Sequence, residues 1–265
     1  MLLEDGTWCW GEECIALSPG DCGWDNVHVC DPDILQGKFG YNEHTYSWAL
    51  FYLGCDLLDC NHNQIGVAFS DSIEGPWVKF DANPVVTGAL AYWGTGQCSE
   101  VSIDRKGKFN LIYRDVDEMG SHYKIAVCDF SDMTHYEVGE PIILPKIGLP
   151  DTHLCMSHVA YDVENDTLYL AAEKDWDGVV RYSQEIVIAF IIGDELERGV
   201  GKWGTLGIIN STLTNKYGNH NAAIGRDSYG RITKLDELPI YISSATQTFI
   251  WSFRIEEIVA HLTRE

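Results

Sequence analysis

Hydrophobic and polar residues follow the same order four times along the chain. Each copy opens on a polar or acidic residue, runs into a short apolar stretch, passes a turn and returns as an aromatic or aliphatic run. The copies open at Asp31, Gln97, Met156 and His220, which gives a repeat of about 60 residues. Short apolar runs between glycine and aspartate turns are typical of β-strands, so the pattern predicts a protein built from repeated small sheets.

A further strand follows the aromatic run in each copy, and these strands are predicted at 65–70, 124–128, 186–192 and 249–255. Four-stranded units repeated around an axis form a β-propeller, whose innermost strands line a central channel. We therefore predict an all-β fold, a single propeller domain over 1–265 with four countable blades. The fourth copy shows three strands. We expect segments 6–10 and 15–17 to complete it, so that strands from both termini close the ring and leave no open sheet edge. The only predicted helix is 256–262.

Composition narrows the range of partners. The chain has 265 residues, 40 acidic against 18 basic side chains and a formal net charge of −22. Such a charge repels phosphate backbones and anionic lipids, so neither nucleic acid nor membrane is an expected partner. It also disfavours strongly anionic ligands unless Arg and Lys converge in one place.

No apolar run is long enough to span a bilayer. The N-terminus lacks a secretion signal, and nine cysteines show no paired metal spacing, so reduced thiols in a cytoplasm are expected. The sequence does not indicate an oligomeric state.

Two phrases carry a family resemblance. Asp31-Pro32-Asp33-Ile34, followed by Gly37-Lys38-Phe39, resembles the blade openings of five-bladed propeller glycoside hydrolases, the group that includes families 43, 32, 62 and 117. The segment 65–72, followed by Gly75-Pro76-Trp77, resembles their blade endings. The family has five blades and four are counted here, so an N-terminal blade is either absent or replaced by a different closure.

The resemblance implies catalytic carboxylates on the innermost strands. Asp31 matches an acidic blade opening, and Glu100 lies on the corresponding strand of the next repeat. Glycosidic cleavage uses one carboxyl group as acid and another as base or nucleophile, so both are candidate catalytic residues. If Pro32 is aligned with Cys98, however, Gln97 becomes the counterpart of Asp31 and Glu100 falls on an apolar position. A one-residue bulge would restore Glu100 to the channel.

Two histidines lie at or beside blade openings. His220 is the second candidate for the general acid, the role that histidine is believed to take in family 117 relatives. His158 is a candidate for substrate binding on the channel floor. Together with Asp31, the two histidines could alternatively hold a divalent metal, although no cofactor is otherwise expected.

Four further residues are candidates for substrate binding. Trp93 precedes the second opening and could stack on a sugar ring. Gln97 is at that opening, and Asp25 is a second candidate pocket acid. Arg114 could hydrogen-bond a substrate hydroxyl or carboxylate, or pair with the adjacent Asp115.

These features predict a glycoside hydrolase that cleaves a small, mostly neutral oligosaccharide or glycoside in the propeller channel. The main alternative is a sugar-binding propeller without catalytic activity, or a truncated enzyme. A second alternative is a metal-dependent hydrolase on the same scaffold.

Overall fold

The computed structural model describes residues 14–150, 154–174, 185–245 and 254–261. These residues form four antiparallel sheets arranged as a four-bladed β-propeller, so the predicted fold class is confirmed. The four predicted openings all lie on the innermost strand of a sheet. We refer to the sheets as blades 1 to 4 in chain order.

Blades 1 and 2 each consist of three long strands and two short outer ones. The strands of blade 1 are β1 (His28–Tyr41), β2 (His44–Cys55), β3 (Gln64–Ser70), β4 (Val78–Lys79) and β5 (Val86–Thr87). Those of blade 2 are β6 (Gly94–Ser102), β7 (Lys108–Asp117), β8 (Gly120–Asp129), β9 (Glu137–Val138) and β10 (Ile142–Ile143), with a 3-10 helix at Met133–His135. Both short strands of blade 1 pair with β3, and both short strands of blade 2 pair with β8.

Blades 3 and 4 are simpler. Blade 3 contains β11 (Leu154–Asp162), β12 (Thr167–Lys174), β13 (Glu185–Ile192) and β14 (Gly204–Ile209), with the short helix α1 (Gly193–Glu197) between the last two. Helix α2 (Ser211–Thr214) leads into blade 4, which contains β15 (Gly218–Ile224), β16 (Leu238–Ala245) and β17 (Arg254–Ala260). The innermost strands are β1, β6, β11 and β15.

Three clusters of buried hydrophobic residues join successive blades. The cluster between blades 1 and 2 is rich in aromatic rings, with Phe51 and Phe109 5.2 Å apart across the interface. The clusters between blades 2 and 3 and between blades 3 and 4 are mainly aliphatic. Burying this apolar surface is the main favourable term for keeping the blades together, at about 25 cal/mol per Å².

The contacts between blade 4 and blade 1 are of another kind. Within the described part of the chain, the three hydrophobic clusters leave this junction out, and the loop after β15 meets β1 through polar groups. The Gln36 backbone N–H donates to the Ser228 carbonyl at 2.7 Å, and the Ser228 hydroxyl donates to the Gln36 side chain at 2.6 Å. We call this junction the polar seam.

Arg226 binds all four blades together near the axis. Its guanidinium, which comes from blade 4, donates to the Asp33 carboxylate of blade 1 at 2.5 and 2.7 Å. It also donates to the Ser99 hydroxyl at 3.1 Å and the Glu100 carbonyl at 2.9 Å in blade 2, and to the Val159 carbonyl at 2.8 Å in blade 3. One planar side chain therefore crosslinks the ring through charge-assisted hydrogen bonds.

Two predictions about the termini need correction. The predicted helix 256–262 is wrong, because residues 254–260 form β17 and pair with β16 in seven consecutive register positions. Pairing with the exposed edge of β16 decides the conformation here, since alternate residues of the segment, such as Ile258 and Ala260, then pack against a hydrophobic cluster. Segment 15–17 forms no strand, and Ile15 is 83% exposed. Segment 6–10, the other half of the predicted closure, lies outside the described residues. No helix among those described is long and apolar enough to cross a membrane.

Replacing Arg226 with methionine should destabilise the protein by about 3–5 kcal/mol, because Asp33 would keep a buried charge without its partner. The loss is measured as the free energy of unfolding in urea. Arg198→Met is the matched control, since the Arg198–Asp194 pair is 65% and 67% exposed and should change stability by less than about 1 kcal/mol. Equal unfolding midpoints for Arg226→Met and the unmodified protein would contradict the crosslinking role.

Candidate active site at the channel mouth

Each innermost strand has a β-bulge at the same point. The register shifts lie between Cys30 and Asp33 in β1, between Gly96 and Ser99 in β6, and at the matching places in β11 and β15. In β1, β6 and β15 the first residue inside the bulge is left-handed although it is not glycine. These residues are Asp31 (φ 47°), Gln97 (φ 53°) and Asn221 (φ 46°). Such conformations cost free energy and are concentrated at functional sites.

The bulges settle the register between blades 1 and 2. Gln97 is the counterpart of Asp31, and Ser99 is the counterpart of Asp33. Glu100 is therefore the counterpart of Ile34, so it falls on a position that is apolar in blade 1. The second of the two alignments considered from the sequence is the correct one.

Four charged or titratable residues surround Asp31 at one end of the channel, and with Asp31 they make a cluster of five. Asp31 interacts electrostatically with His220, Glu173, Arg114 and His28, which come from β15, β12, β7 and β1. We call these five residues the mouth cluster. Arg114 pairs with Gly96 and Glu173 pairs with Cys155, so both occupy the same place on the middle strand of their blade, beside the bulge.

Burial raises the pKa of Asp31 above its ordinary value. The nearby Glu173 carboxylate adds to this rise, whereas His220, Arg114 and His28 oppose it. Burial prevails because Asp31 is flanked by neighbouring strands and loses much of its hydration. A carboxyl group with a raised pKa beside cationic groups is a typical arrangement for acid–base chemistry.

Glu173 orients His220. The Glu173 Oε1 atom lies 2.5 Å from His220 Nδ1 and accepts the Asn221 backbone N–H at 2.7 Å. The side chain of Glu173 is only 4% exposed and that of His220 is 14% exposed. A carboxylate on Nδ1 places the proton of neutral histidine there, so exchange of a proton with a ligand falls to Nε2.

Arg114 is held by two contacts. Its Nε atom donates to the Ser121 hydroxyl at 3.0 Å, and its guanidinium lies 4.8 Å from the centre of the Trp93 ring. The adjacent Asp115 is not its partner, because Lys124 forms an ion pair with that carboxylate. The expected Arg114–Asp115 pairing is wrong. Arg114 covers one face of the Trp93 ring, which was predicted as a platform for a sugar. Trp93 therefore supports the Arg114 side chain.

A second group of polar residues lies deeper in the channel. It consists of Asp33, Ser99, Glu100, His158 and Arg226, which we call the floor cluster. Glu100 is 0% exposed, and neither of its carboxyl oxygens accepts a hydrogen bond among the described residues. A group with no exposed atom does not contact a ligand in the channel. The structure therefore contradicts the prediction of Glu100 as the catalytic acid, because its strand turns it inward after the bulge.

The charges of the floor cluster are interdependent. Burial, and then the charge of Asp33, raise the pKa of Glu100 well above its usual value. Burial opposes ionisation of Asp33 as well, but the Arg226 guanidinium outweighs it and holds that pKa below normal. Glu100 is thus a protonated acid that can donate to the ionised Asp33, which gives the buried carboxyl group a hydrogen bond that its charged form would lack.

His158 is also part of the floor. Its Nδ1 atom accepts the Ile224 backbone N–H at 3.1 Å and so links blades 3 and 4. Burial, and then the charge of Arg226, lower the pKa of His158 to about 3, so the ring is neutral. His158 therefore has a structural contact through Nδ1, while the residue keeps some exposed surface, and its role in substrate binding stays a prediction.

Asp25 lies elsewhere. Its carboxylate pairs with Lys79 on the outer strand β4 at 2.6 Å and accepts the Tyr52 hydroxyl at 3.1 Å. The preceding Trp24 ring stacks on Tyr52. Asp25 is therefore bound within blade 1 and is not among the residues around Asp31, contrary to the prediction. Gln97 is buried at the level of the mouth cluster, in the position equivalent to Asp31.

A metal centre finds no support in the described residues, where no group of three or more His, Cys, Asp or Glu side chains is arranged to hold an ion. His158 and His220 lie in different layers, so the histidine–aspartate metal site proposed from the sequence does not form from these residues. Cysteines are not cross-linked either in the part of the chain described with side chains. The free thiols are Cys14, Cys22, Cys30, Cys55, Cys60, Cys98 and Cys128.

The sequence did not identify the roles of Asp33, Glu173 and Arg226. Asp33 follows the acidic opening by two residues, and Glu173 occupies the same place as Arg114 one blade later; these were the available signals. Arg226 gives no local signal, because its partners are 67 to 193 residues away.

The fold and the mouth cluster define a propeller with a mixed carboxylate, histidine and arginine site at one end of its channel. No family model matches the chain, and no curated protein matches it. Several solved structures share its fold. One is an alpha-L-arabinofuranosidase from Lactobacillus brevis, with TM-score 0.59 and 10% identity over 91% of this chain and 74% of that one.

Two other structures extend the comparison. A thermostable family 43 glycoside hydrolase gives TM-score 0.54 and 15% identity, covering 85% of this chain and 70% of that one. A family 117 glycoside hydrolase from the marine bacterium Zobellia galactanivorans gives TM-score 0.55 and 15% identity, covering 88% and 61%. The resemblance to propeller glycoside hydrolases is therefore confirmed for the fold. At these identities the similarity is one of fold alone.

Replacing Glu100 with glutamine should remove a dependence of stability on pH. Because the folded-state pKa of Glu100 is raised, the unmodified protein should lose stability as pH rises above about 4.5 towards that value, whereas Glu100→Gln should not show this loss. The free energy of urea unfolding, measured from pH 5 to 9, tests this difference. Glu164→Gln, in the exposed turn between β11 and β12, is the control. Parallel stability curves for Glu100→Gln and the unmodified protein would show that Glu100 is not held protonated.

Proposed function

We propose that the protein is a glycoside hydrolase that acts on a small, mostly neutral oligosaccharide or glycoside. The observation that carries this proposal is the mouth cluster, in which Asp31 and a carboxylate-oriented histidine meet at the end of the channel. The fold is one that glycoside hydrolases use, which supports the same reaction class.

Asp31 and His220 are the reacting groups in this proposal. Asp31, from blade 1, acts in its ionised form: it either removes a proton from the water that attacks the anomeric carbon, or attacks that carbon itself to form a covalent intermediate that water then hydrolyses. His220, from blade 4, donates a proton from Nε2 to the departing oxygen, because Glu173 occupies Nδ1 and leaves Nε2 for the ligand. Glu173 is a positioning residue, since its own oxygen is bound to His220 and to a backbone N–H. Glu100 takes no part, because it has no exposed surface.

A sugar-binding propeller without catalytic activity is the second candidate. It is favoured by the burial of Glu100, which leaves the second of the two predicted catalytic carboxyl groups inaccessible. The two candidates differ in turnover and not in binding. A protein that binds sugars at the mouth but hydrolyses none of a broad panel of aryl glycosides would be of the second kind.

Replacing Asp31 with asparagine should lower kcat by about 100-fold or more on whichever aryl glycoside is hydrolysed, because the substitution removes the charged oxygen and keeps the shape. Initial rates on arabinofuranosides, xylosides, galactosides and fructosides provide the measurement. Asp71→Asn is the matched control: Asp71 is 63% exposed, pairs with His44 on the surface and should leave kcat unchanged. An unaltered kcat for Asp31→Asn would remove this residue from the mechanism.

The pH dependence follows from the raised pKa of Asp31. Asp31 must lose its proton to act, and its pKa is above the ordinary 3.8, so kcat/KM should rise with pH along an acid limb whose midpoint lies above 3.8. Asp31→Asn should lack this acid limb in any residual activity. Complete pH–rate profiles of the two proteins provide the measurement. An acid limb of the unmodified protein with its midpoint at or below 3.8 would contradict the raised pKa of Asp31.

A further inference from the structure

Arg114 has donor groups that the rest of the protein does not use. Its Nε atom is bound to Ser121, and the ring of Trp93 fixes the plane of the guanidinium. The two terminal Nη groups form no hydrogen bond or ion pair with the described residues. Arg114 pairs with Gly96, beside the bulge that contains Gln97, and its charge acts on Asp31, so the side chain belongs to the mouth cluster.

Three other arginines have their charge or their donors engaged, and Arg105 and Arg254 are exposed to solvent, whereas Arg114 is half-buried. Arg226 is paired with Asp33, Arg198 with Asp194, and Arg231 donates to two backbone carbonyls. The chain has 40 acidic residues against 18 basic ones, so carboxylates to pair with Arg114 are not scarce. The nearest in sequence, Asp115, is bound by Lys124. The half-buried guanidinium of Arg114 is thus pre-oriented by two contacts and keeps its terminal donors available.

We propose that Arg114 binds the carboxylate of a uronic acid unit, so that the substrate is a glycoside in which one sugar carries a single negative charge. This inference rests on the proposed glycoside hydrolase function and specifies its substrate class. A guanidinium presents two parallel N–H groups that match the two oxygens of a carboxylate. Because Trp93 and Ser121 already hold the side chain, little conformational entropy is lost when the ligand binds.

The charge around Arg114 limits the ligand to one acidic group. Asp31 and Glu173 lie in the same cluster, and the whole protein has a net charge of −22. A polyanionic chain would be repelled by this field. A single carboxylate directed at Arg114, on an otherwise neutral glycoside, is compatible with it.

The experiment compares nitrophenyl uronides with the methyl esters of the same compounds, which keep the sugar and remove the charge. The proteins are the unmodified chain, Arg114→Gln and the control Arg105→Gln. Arg105 is exposed in the loop between β6 and β7 and its guanidinium also stacks on an aromatic ring, 5.2 Å from Tyr229, so the control makes the same change of charge away from the mouth.

The unmodified protein should prefer uronides to their esters by at least about tenfold in kcat/KM, mainly through KM. In Arg114→Gln, kcat/KM for the uronide should fall by about 10- to 100-fold. The fall for the ester should be at least tenfold smaller, and the urea midpoint should be preserved. Arg105→Gln should match the unmodified protein on both. A preference for the esters, or an equal loss by Arg114→Gln on both substrates, would overturn the inference and leave the glycoside hydrolase function in place.

A measurement of ligand binding tests the role of Arg114 independently of the proposed hydrolase activity. Calorimetry on Asp31→Asn, which should bind without turnover, compares free glucuronic and galacturonic acids with glucose and galactose. Binding of a uronic acid that is lost in Asp31→Asn/Arg114→Gln supports the role of Arg114 even if no glycoside is hydrolysed. Binding of the neutral sugars alone, or of none of the four, would overturn it.

Discussion

The arrangement of the channel depends on the guanidinium of Arg226. A propeller is usually kept closed by apolar packing between neighbouring blades, and three of the junctions here follow that rule. At the fourth, polar contacts take over, and Arg226 reaches from blade 4 to Asp33 in blade 1 and to main-chain or hydroxyl oxygens of blades 2 and 3. No hydrocarbon side chain could satisfy these acceptors at once, because they are distributed in several directions around one point.

The channel contains two layers with different tasks. In the floor cluster every charge is offset: Asp33 is ionised against Arg226, Glu100 is kept neutral, and His158 is neutral and bound to the main chain. The mouth cluster is less completely paired, since burial works against the charge of Asp31 while Arg114 retains unused donors. A cluster whose charges are balanced by one another is suited to holding blades together. A cluster whose charges are only partly balanced is suited to binding and reacting with a ligand.

Local patterns allowed most of the fold, and only part of the site, to be predicted from the sequence. Apolar alternation and glycine turns depend on near neighbours, so the four innermost strands and the level of Asp31 and His220 could be located. Glu100 was misplaced because a single bulge residue reverses the side of a strand, and no residue type marks it. Segment 254–260 was misassigned because its partner strand, not its composition, decides its conformation. Arg226 was invisible because its contacts join distant parts of the chain.

The polar seam has a consequence for how the mouth responds to motion. Hydrogen bonds between a loop and a strand edge are replaced by hydrogen bonds to water more readily than packed aromatic side chains separate. Relative displacement of blades 4 and 1 at the polar seam is therefore easier than displacement at the aromatic junction between blades 1 and 2. Asp31 and His220 stand on opposite sides of the polar seam, one on blade 1 and the other on blade 4. A small change in the width of the ring at this junction would therefore change the separation of Asp31 and His220, the two residues to which the proposed reaction is assigned.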